Sequence, residues 1–172
     1  MLHLHRIFWS ICRLQKGPQE LPKNIILLLV VIFFGMIADT VATSILLPKL
    51  SNVDIVKTII IYNLLLLAAI YLLLYLVGYK ERGLQTITAI AGSGLYISLI
   101  LLPALLMMNS VEQQVKSFIL LILIDNVWRI AVNAHIFRHA LSVSLLMAMI
   151  LSVSYMLFGI LLADYLLPSQ TP

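Results

Sequence analysis

Charge is what this sequence has least of. Only 10% of its 172 residues are Asp, Glu, Lys or Arg, against roughly a quarter in soluble domains. A chain so poor in charge cannot cover a globule with water-compatible surface, and this excludes an ordinary soluble domain. Cysteine is nearly absent too. Cys12 stands alone, so no intrachain disulfide can form and the redox compartment is not legible. Catalytic signatures are missing as well. There is no phosphate-binding glycine loop, and the polar links are too short for a lid. The stretch Ala91-Gly92-Ser93-Gly94 has a serine among glycines, but it lies inside an apolar helical run and not at a strand–turn–helix elbow, so packing is its better explanation. No internal repeat occurs, and the apolar runs are too long and too leucine-rich for the alternation of a membrane barrel.

What is present is apolar length. Hydrophobic residues make up 62% of the chain, and the mean hydropathy is +1.08. At about 20 apolar residues per helical crossing, the chain divides into five spans, and the expected fold is an all-α, polytopic transmembrane helix bundle. The spans run from about Asn24 to Leu47, Ile55 to Val77, Leu84 to Met108, Ser117 to Phe137 and Ala140 to Leu167. They make residues 24–167 one five-span bundle, preceded by a segment at 1–23 and followed by a short tail at 168–172. A four-span alternative would lay the fourth, most polar span on the membrane surface.

The first segment reads as an amphipathic helix. Leu4, Ile7, Phe8, Ile11 and Leu14 fall on one side, and Arg6, Ser10, Arg13 and Lys16 on the other. That pattern predicts a helix lying in the headgroup region. Arg13 interrupts its apolar stretch and no small-residue cleavage site follows, so it is not a signal peptide. Cys12 could be acylated so near a membrane, but an unmodified small apolar residue is the preferred reading. Trp9, Tyr79 and Tyr165 read as anchors at the membrane boundary.

The basic residues set the orientation. With the N-terminus inside, the inner segments hold Arg6, Arg13, Lys16, Lys23, Lys80, Arg82 and Arg138, and the outer ones hold Lys49, Lys57 and Lys116. Seven against three favours a cytoplasmic N-terminus and an outer C-terminus. Because these cations flank apolar runs, they orient helices and do not form a nucleic-acid-binding face.

The fourth span carries the informative constellation. Asp125 and Arg129 are four apart, so they share a helix face and can pair. Asn126 and Asn133 extend that face. Charge at membrane depth is costly, so the face is expected to point into the bundle. Asp39 precedes Pro48, at the outer end, by nine residues, and Asp125 follows Lys116 by nine. Each separation is about 13 Å of helix, so Arg129 could bridge the two carboxylates with its forked donors. This cluster is read first as a polar lock on helix packing, with a proton or ion pathway and a snorkelling Arg129 as the alternatives. His135 and His139 have metal-compatible spacing, but no third ligand is evident. Beside Arg138 they read as residues of the membrane boundary. Small residues at Gly35, Ala38 and Ala42, at Ala89, Gly92 and Ser93, and at Ser144, Ala148 and Ser152 mark helix contacts, within the chain or between copies.

Three stretches carry a resemblance: Gly17-Pro18-Gln19-Glu20-Leu21-Pro22, Leu84-Gln85-Thr86-Ile87-Thr88-Ala89, and Trp128-Arg129-Ile130-Ala131-Val132-Asn133-Ala134-His135-Ile136-Phe137-Arg138-His139-Ala140-Leu141. With the five-span layout they resemble the Yip family of small membrane proteins, particularly its uncharacterised bacterial members. The resemblance implies a five-span fold and no catalytic residue. Better-known members have a longer cytoplasmic N-terminal region and act in trafficking through protein partners. This chain lacks that region, so their role is not carried over. The expectation is a non-enzymatic protein of the bacterial inner membrane, without cofactor or metal. It would act through contacts with lipid, with a membrane-protein partner or with further copies of itself. A small transporter or channel subunit using Asp39, Asp125 and Arg129 is the rival. An intramembrane enzyme ranks last and would need Ser93, His135 and Asp125 around one cavity.

Overall fold

The computed structural model describes residues 2–108 and 115–166. Among them there are helices and no strand: α1 (Leu2–Cys12), α2 (Ile25–Leu46), α3 (Asn52–Leu76), α4 (Gly83–Met108), α5 (Val115–Leu141) and α6 (Leu145–Leu166), with short 3-10 turns at Pro18–Glu20 and Lys80–Arg82. Helices α2 to α6 are long and apolar enough to cross a bilayer, α5 being the least apolar. The chain is an integral membrane helix bundle.

The helix boundaries follow local chemistry. The Asn24 side chain accepts hydrogen bonds from the Ile26 and Leu27 amides at 2.8 and 3.4 Å. Ser51 accepts from Asp54 at 3.3 Å, and Ser144 from Met147 at 3.3 Å. Each satisfies amide donors that the first helical turn leaves open. The end of α5 differs from expectation. The helix continues through Arg138 and His139 to Leu141, and α6 begins only at Leu145. Two interactions favour the extension. Cations in the last turn complement the helix dipole, and Arg82 Nη1 donates to Ala140 O at 2.9 Å and to Ser142 Oγ at 3.0 Å. Ser142 then turns the chain with a positive φ of 56°.

The spans form a ring. α2 packs most extensively on α4 and α5 on α6; α4 and α5 are neighbours, and α3 closes the ring between α2 and α6. The loops joining α3 to α4 and α5 to α6, with the start of α2, define one end, here the near end. Packing differs sharply between the two ends. Toward the near end Ile70, Leu74, Ile136, Phe137 and Ala148 are fully buried. Toward the far end no residue is buried in 39–46 of α2, 98–106 of α4 or 119–131 of α5, and α3 supplies Ile55 and Ile59. The outward surface is apolar, with Ile26, Leu76, Leu146 and Leu161 all exposed, as hydrocarbon-facing positions require.

Helix α1 forms as expected, and its apolar stripe is covered by protein. Ile7, Phe8, Ile11 and Cys12 are buried against protein, on α4 and α5. Leu4 is half-buried and Leu14 lies exposed beyond the helix end. The Phe8 ring stacks on Tyr96, with centroids 5.6 Å apart, and occupies the space where a side chain at Gly92 would lie. His5 stacks on the same tyrosine and hydrogen-bonds its hydroxyl at 2.7 Å. Gly92 lies nine residues into α4, about 13 Å along the helix, so α1 docks well along the spans and not at their tips. The amphipathic pattern is genuine, but its apolar stripe meets α4 and α5. His3, Arg6, Trp9 and Arg13 face outward.

The chain leaves α1 through Leu14, whose φ is +61°. The amides of Leu14 and Gln15 bond back to Ile11 O and Ser10 O, both at 2.9 Å. A left-handed leucine carries a cost of roughly 1 kcal/mol that glycine avoids. Leu14→Gly is therefore expected to raise the unfolding midpoint in detergent by a few degrees, and a lower midpoint in a thermal melt would contradict this account of the turn.

Candidate functional site

The site is built on α5. Arg129 Nε donates to Asp125 Oδ1 and Oδ2 at 2.9 and 3.0 Å, the i,i+4 pair expected from the spacing. The guanidinium's second contact is Nη2 to Ser98 Oγ at 2.8 Å, on α4. Arg129 thus joins α5 to α4, and among the described residues its only ion-pair partner is Asp125. The expected bridge to Asp39 is not formed. Gly94 borders the guanidinium, and a Cβ there would lie 3.4 Å from Nη1, close to ordinary contact distance.

Asp39 lies on α2 at the wall of a cavity of about 210 Å³ lined by all five spans. Arg129, Asn126 and Asn133 line it from α5, Tyr62 and Asn63 from α3, and Tyr155 from α6. The amides of Asn63 and Asn126 donate to their own helices, to Ile59 O at 3.0 Å and Ile122 O at 2.8 Å. Their carbonyl oxygens remain as acceptors. Tyr62 owes its position to Gly159, where a Cβ would approach its hydroxyl to 2.9 Å. Among the described residues Asp39 has no ion-pair partner. A second cavity of about 120 Å³ opens on the far side of the Asp125–Arg129 pair, between Ala42 and Leu46 of α2, Leu101 and Leu105 of α4, and Leu121 of α5. The ion pair stands between this leucine-lined groove and the polar chamber.

No match is found among protein-family models, curated proteins or solved structures. The functional reading therefore rests on the geometry.

The structure thus groups Asp39, Asn126, Arg129 and Asn133 around one chamber, with Asp125 at its border. It separates them from Trp9, which is exposed on α1, and from Arg138 and His139, which are exposed at the near end of α5. His135 is half-buried, and its Nε2 lies 3.1 Å from Lys16 O. A carbonyl can only accept, so the proton is on Nε2. Trp128 Nε1 donates to Cys12 O at 3.0 Å, and Gln85 Nε2 to Leu21 O at 2.6 Å. These three side chains satisfy carbonyls of the N-terminal segment and tie it to the bundle. The stretches 17–22, 84–89 and 128–141 meet here. Ser93 borders the chamber, but its hydroxyl donates to Ile90 O at 3.2 Å. His135 faces the N-terminal segment and Asp125 is paired, so the three residues needed for an intramembrane enzyme do not share a cavity. Among the described residues no group of three His, Cys, Asp or Glu could hold a metal.

Tyr62, Asn63, Ser98 and Tyr155 are site residues that the sequence did not reveal. Asn63 gave a signal, as the one carboxamide within the apolar run of the second span. The others could be recognised only once the helices were arranged.

Proposed function

We propose that the protein is a non-enzymatic component of the bacterial inner membrane that binds a small cation or proton at mid-membrane depth and passes it across the bilayer. One observation carries this reading: a chamber with polar side chains inside five apolar helices, bearing a carboxylate with no ion-pair partner among the described residues. A structural lock needs only the Asp125–Arg129–Ser98 contact. It gives no reason to keep Asp39, Asn63 and two tyrosines around open space, where each polar group costs free energy in hydrocarbon. The distribution of basic residues supports a cytoplasmic N-terminus, which makes the near end cytoplasmic. The five-span layout and the resemblance to bacterial Yip-family members are compatible with this role.

Reconstitution into liposomes tests it. Under an imposed pH or cation gradient the unaltered protein is expected to dissipate the gradient, and Asp39→Asn to reduce the flux at least tenfold. Equal and background flux from both would remove the transport reading. A second reading, action through a membrane partner, is favoured by the outward cationic face of α1, since Arg6 and Arg13 are poorly accommodated by hydrocarbon. Crosslinking in mild detergent followed by mass spectrometry would support it if one protein were captured through that face.

A further inference from the structure

The chamber's lining narrows the class of ligand, on the reading that the chamber is the working site. We infer that it holds a small organic monocation, a protonated amine with an apolar body, whose ammonium group pairs with Asp39, and that this ligand enters from the far end. Charge is the first argument. Arg129 is neutralised by Asp125 at 2.9 Å, so ionised Asp39 leaves the site with one net negative charge. In a low-dielectric surrounding that charge is balanced by a single cation. An anion or a dication would leave an uncompensated charge at membrane depth.

The second argument is the character of the walls. Asp39 on α2 offers a carboxylate acceptor for an ammonium group, beside Asn63 on the adjacent α3. Tyr62 and Tyr155 present aromatic rings, which attract cations with an apolar periphery. Leu66 and Ile130 add surfaces that a bare, strongly hydrated alkali ion could not use. Size agrees. A cavity of about 150 Å³ accommodates benzene, so 210 Å³ has room for a ring carrying a short amine.

The third argument concerns access. Ile70, Leu74, Phe137 and Ala148 close the near half with fully buried side chains. At the far end, no residue is buried in 39–46 of α2, 98–106 of α4 or 119–131 of α5. The groove beside Ala42 and Leu105 reaches the chamber at Arg129. Entry from the far end therefore needs only side-chain movement, whereas entry from the near end requires the packed core to part.

The test uses the full-length protein in detergent micelles, with benzylammonium as probe and benzyl alcohol as its neutral counterpart. Calorimetric titration is expected to show saturable binding of benzylammonium, with benzyl alcohol at least tenfold weaker. In Asp39→Asn the affinity for benzylammonium should fall at least tenfold, while the empty variant melts no lower than the parent. Equal binding of the charged and neutral probes, or binding that survives Asp39→Asn, would overturn the assignment. Stabilisation by sodium or potassium alone would also overturn it, yet leave ion transport standing. Conversely, Asp39-dependent binding without flux in liposomes would leave the ligand assignment intact and remove the transport reading. The comparison of charged with neutral probe needs no variant, so the assignment remains testable if Asp39→Asn fails to assemble. For access, in liposomes with the protein inserted in one orientation, an Ala42→Cys variant in a Cys12→Ser background should react with a charged thiosulfonate added at the far side, and benzylammonium should slow the reaction. Reaction only from the near side would overturn the entry route.

Discussion

Asp125→Asn is expected to lower the stability of the bundle by about 3 kcal/mol, because it removes one partner of an ion pair at membrane depth and leaves the other. The pair is 2.9 Å long, and its side chains are 33% and 27% exposed to the adjoining cavities. This partial access to cavity space places the effect toward the lower end of the range for buried pairs. Arg129 would keep its contact with Ser98 but lose its counter-charge. The expected result is a large fall in the unfolding midpoint in a denaturing-detergent titration. Combining Asp125→Asn with Arg129→Met should restore most of the loss, since replacing both partners removes the uncompensated charge as well as the attraction. A single variant as stable as the parent would mean that Arg129 is solvated without Asp125, and the pair would cease to explain how α5 is held to α4. Asp39→Asn is expected to behave in the opposite way. Removing a carboxylate that has no ion-pair partner among the described residues should leave the empty bundle equally or more stable while abolishing binding. The two carboxylates, only one helix apart, would then divide into one that maintains the fold and one that serves the ligand.

These roles could be read in part from the chain. The spans were legible because hydrocarbon thickness fixes helix length and every backbone group must be paired within the helix. Runs such as Ile25–Leu46 and Leu145–Leu166 leave little choice. The Asp125–Arg129 pair was legible because four residues along a helix return to the same face. The second contact of Arg129 was not, since Ser98 is one of two serines in α4 and only the placement of α4 beside α5 selects it. The end of α5 was hidden because the turn uses Ser142 at positive φ where glycine would have announced it. The position of α1 was ambiguous in principle. An apolar stripe opposite Arg6 and Arg13 looks the same whether it faces acyl chains or a groove between helices. What resolves it is the paired signal of a large residue and an absent one, Phe8 and Gly92, which are far apart in sequence.

That pairing yields the second large effect. Gly92→Val would place a side chain where the Phe8 ring lies, and Phe8→Ala would remove the ring that stacks on Tyr96 at 5.6 Å. Either change should release α1 from α4 and α5, at a cost of roughly 3–5 kcal/mol for loss of a buried aromatic side chain. Cys12 reports the release directly. In the docked helix its thiol is buried, its Sγ lies 3.8 Å from Ser93 O, and burial raises its pKa to about 11. Only about one thiol in ten thousand is then ionised at neutral pH, against a few per cent for a solvated cysteine. Maleimide labelling of the unaltered protein is therefore expected to be very slow until it is denatured, and to accelerate at least tenfold in Phe8→Ala and in Gly92→Val. Trp128 and His135 would lose their carbonyl partners in the same event, so the indole fluorescence should shift with the labelling rate. If the unaltered protein already reacts like a free thiol, α1 is not docked on α4 and α5. Unchanged slow labelling in both variants would mean instead that the carbonyl contacts from Gln85, Trp128 and His135 hold the segment without Phe8.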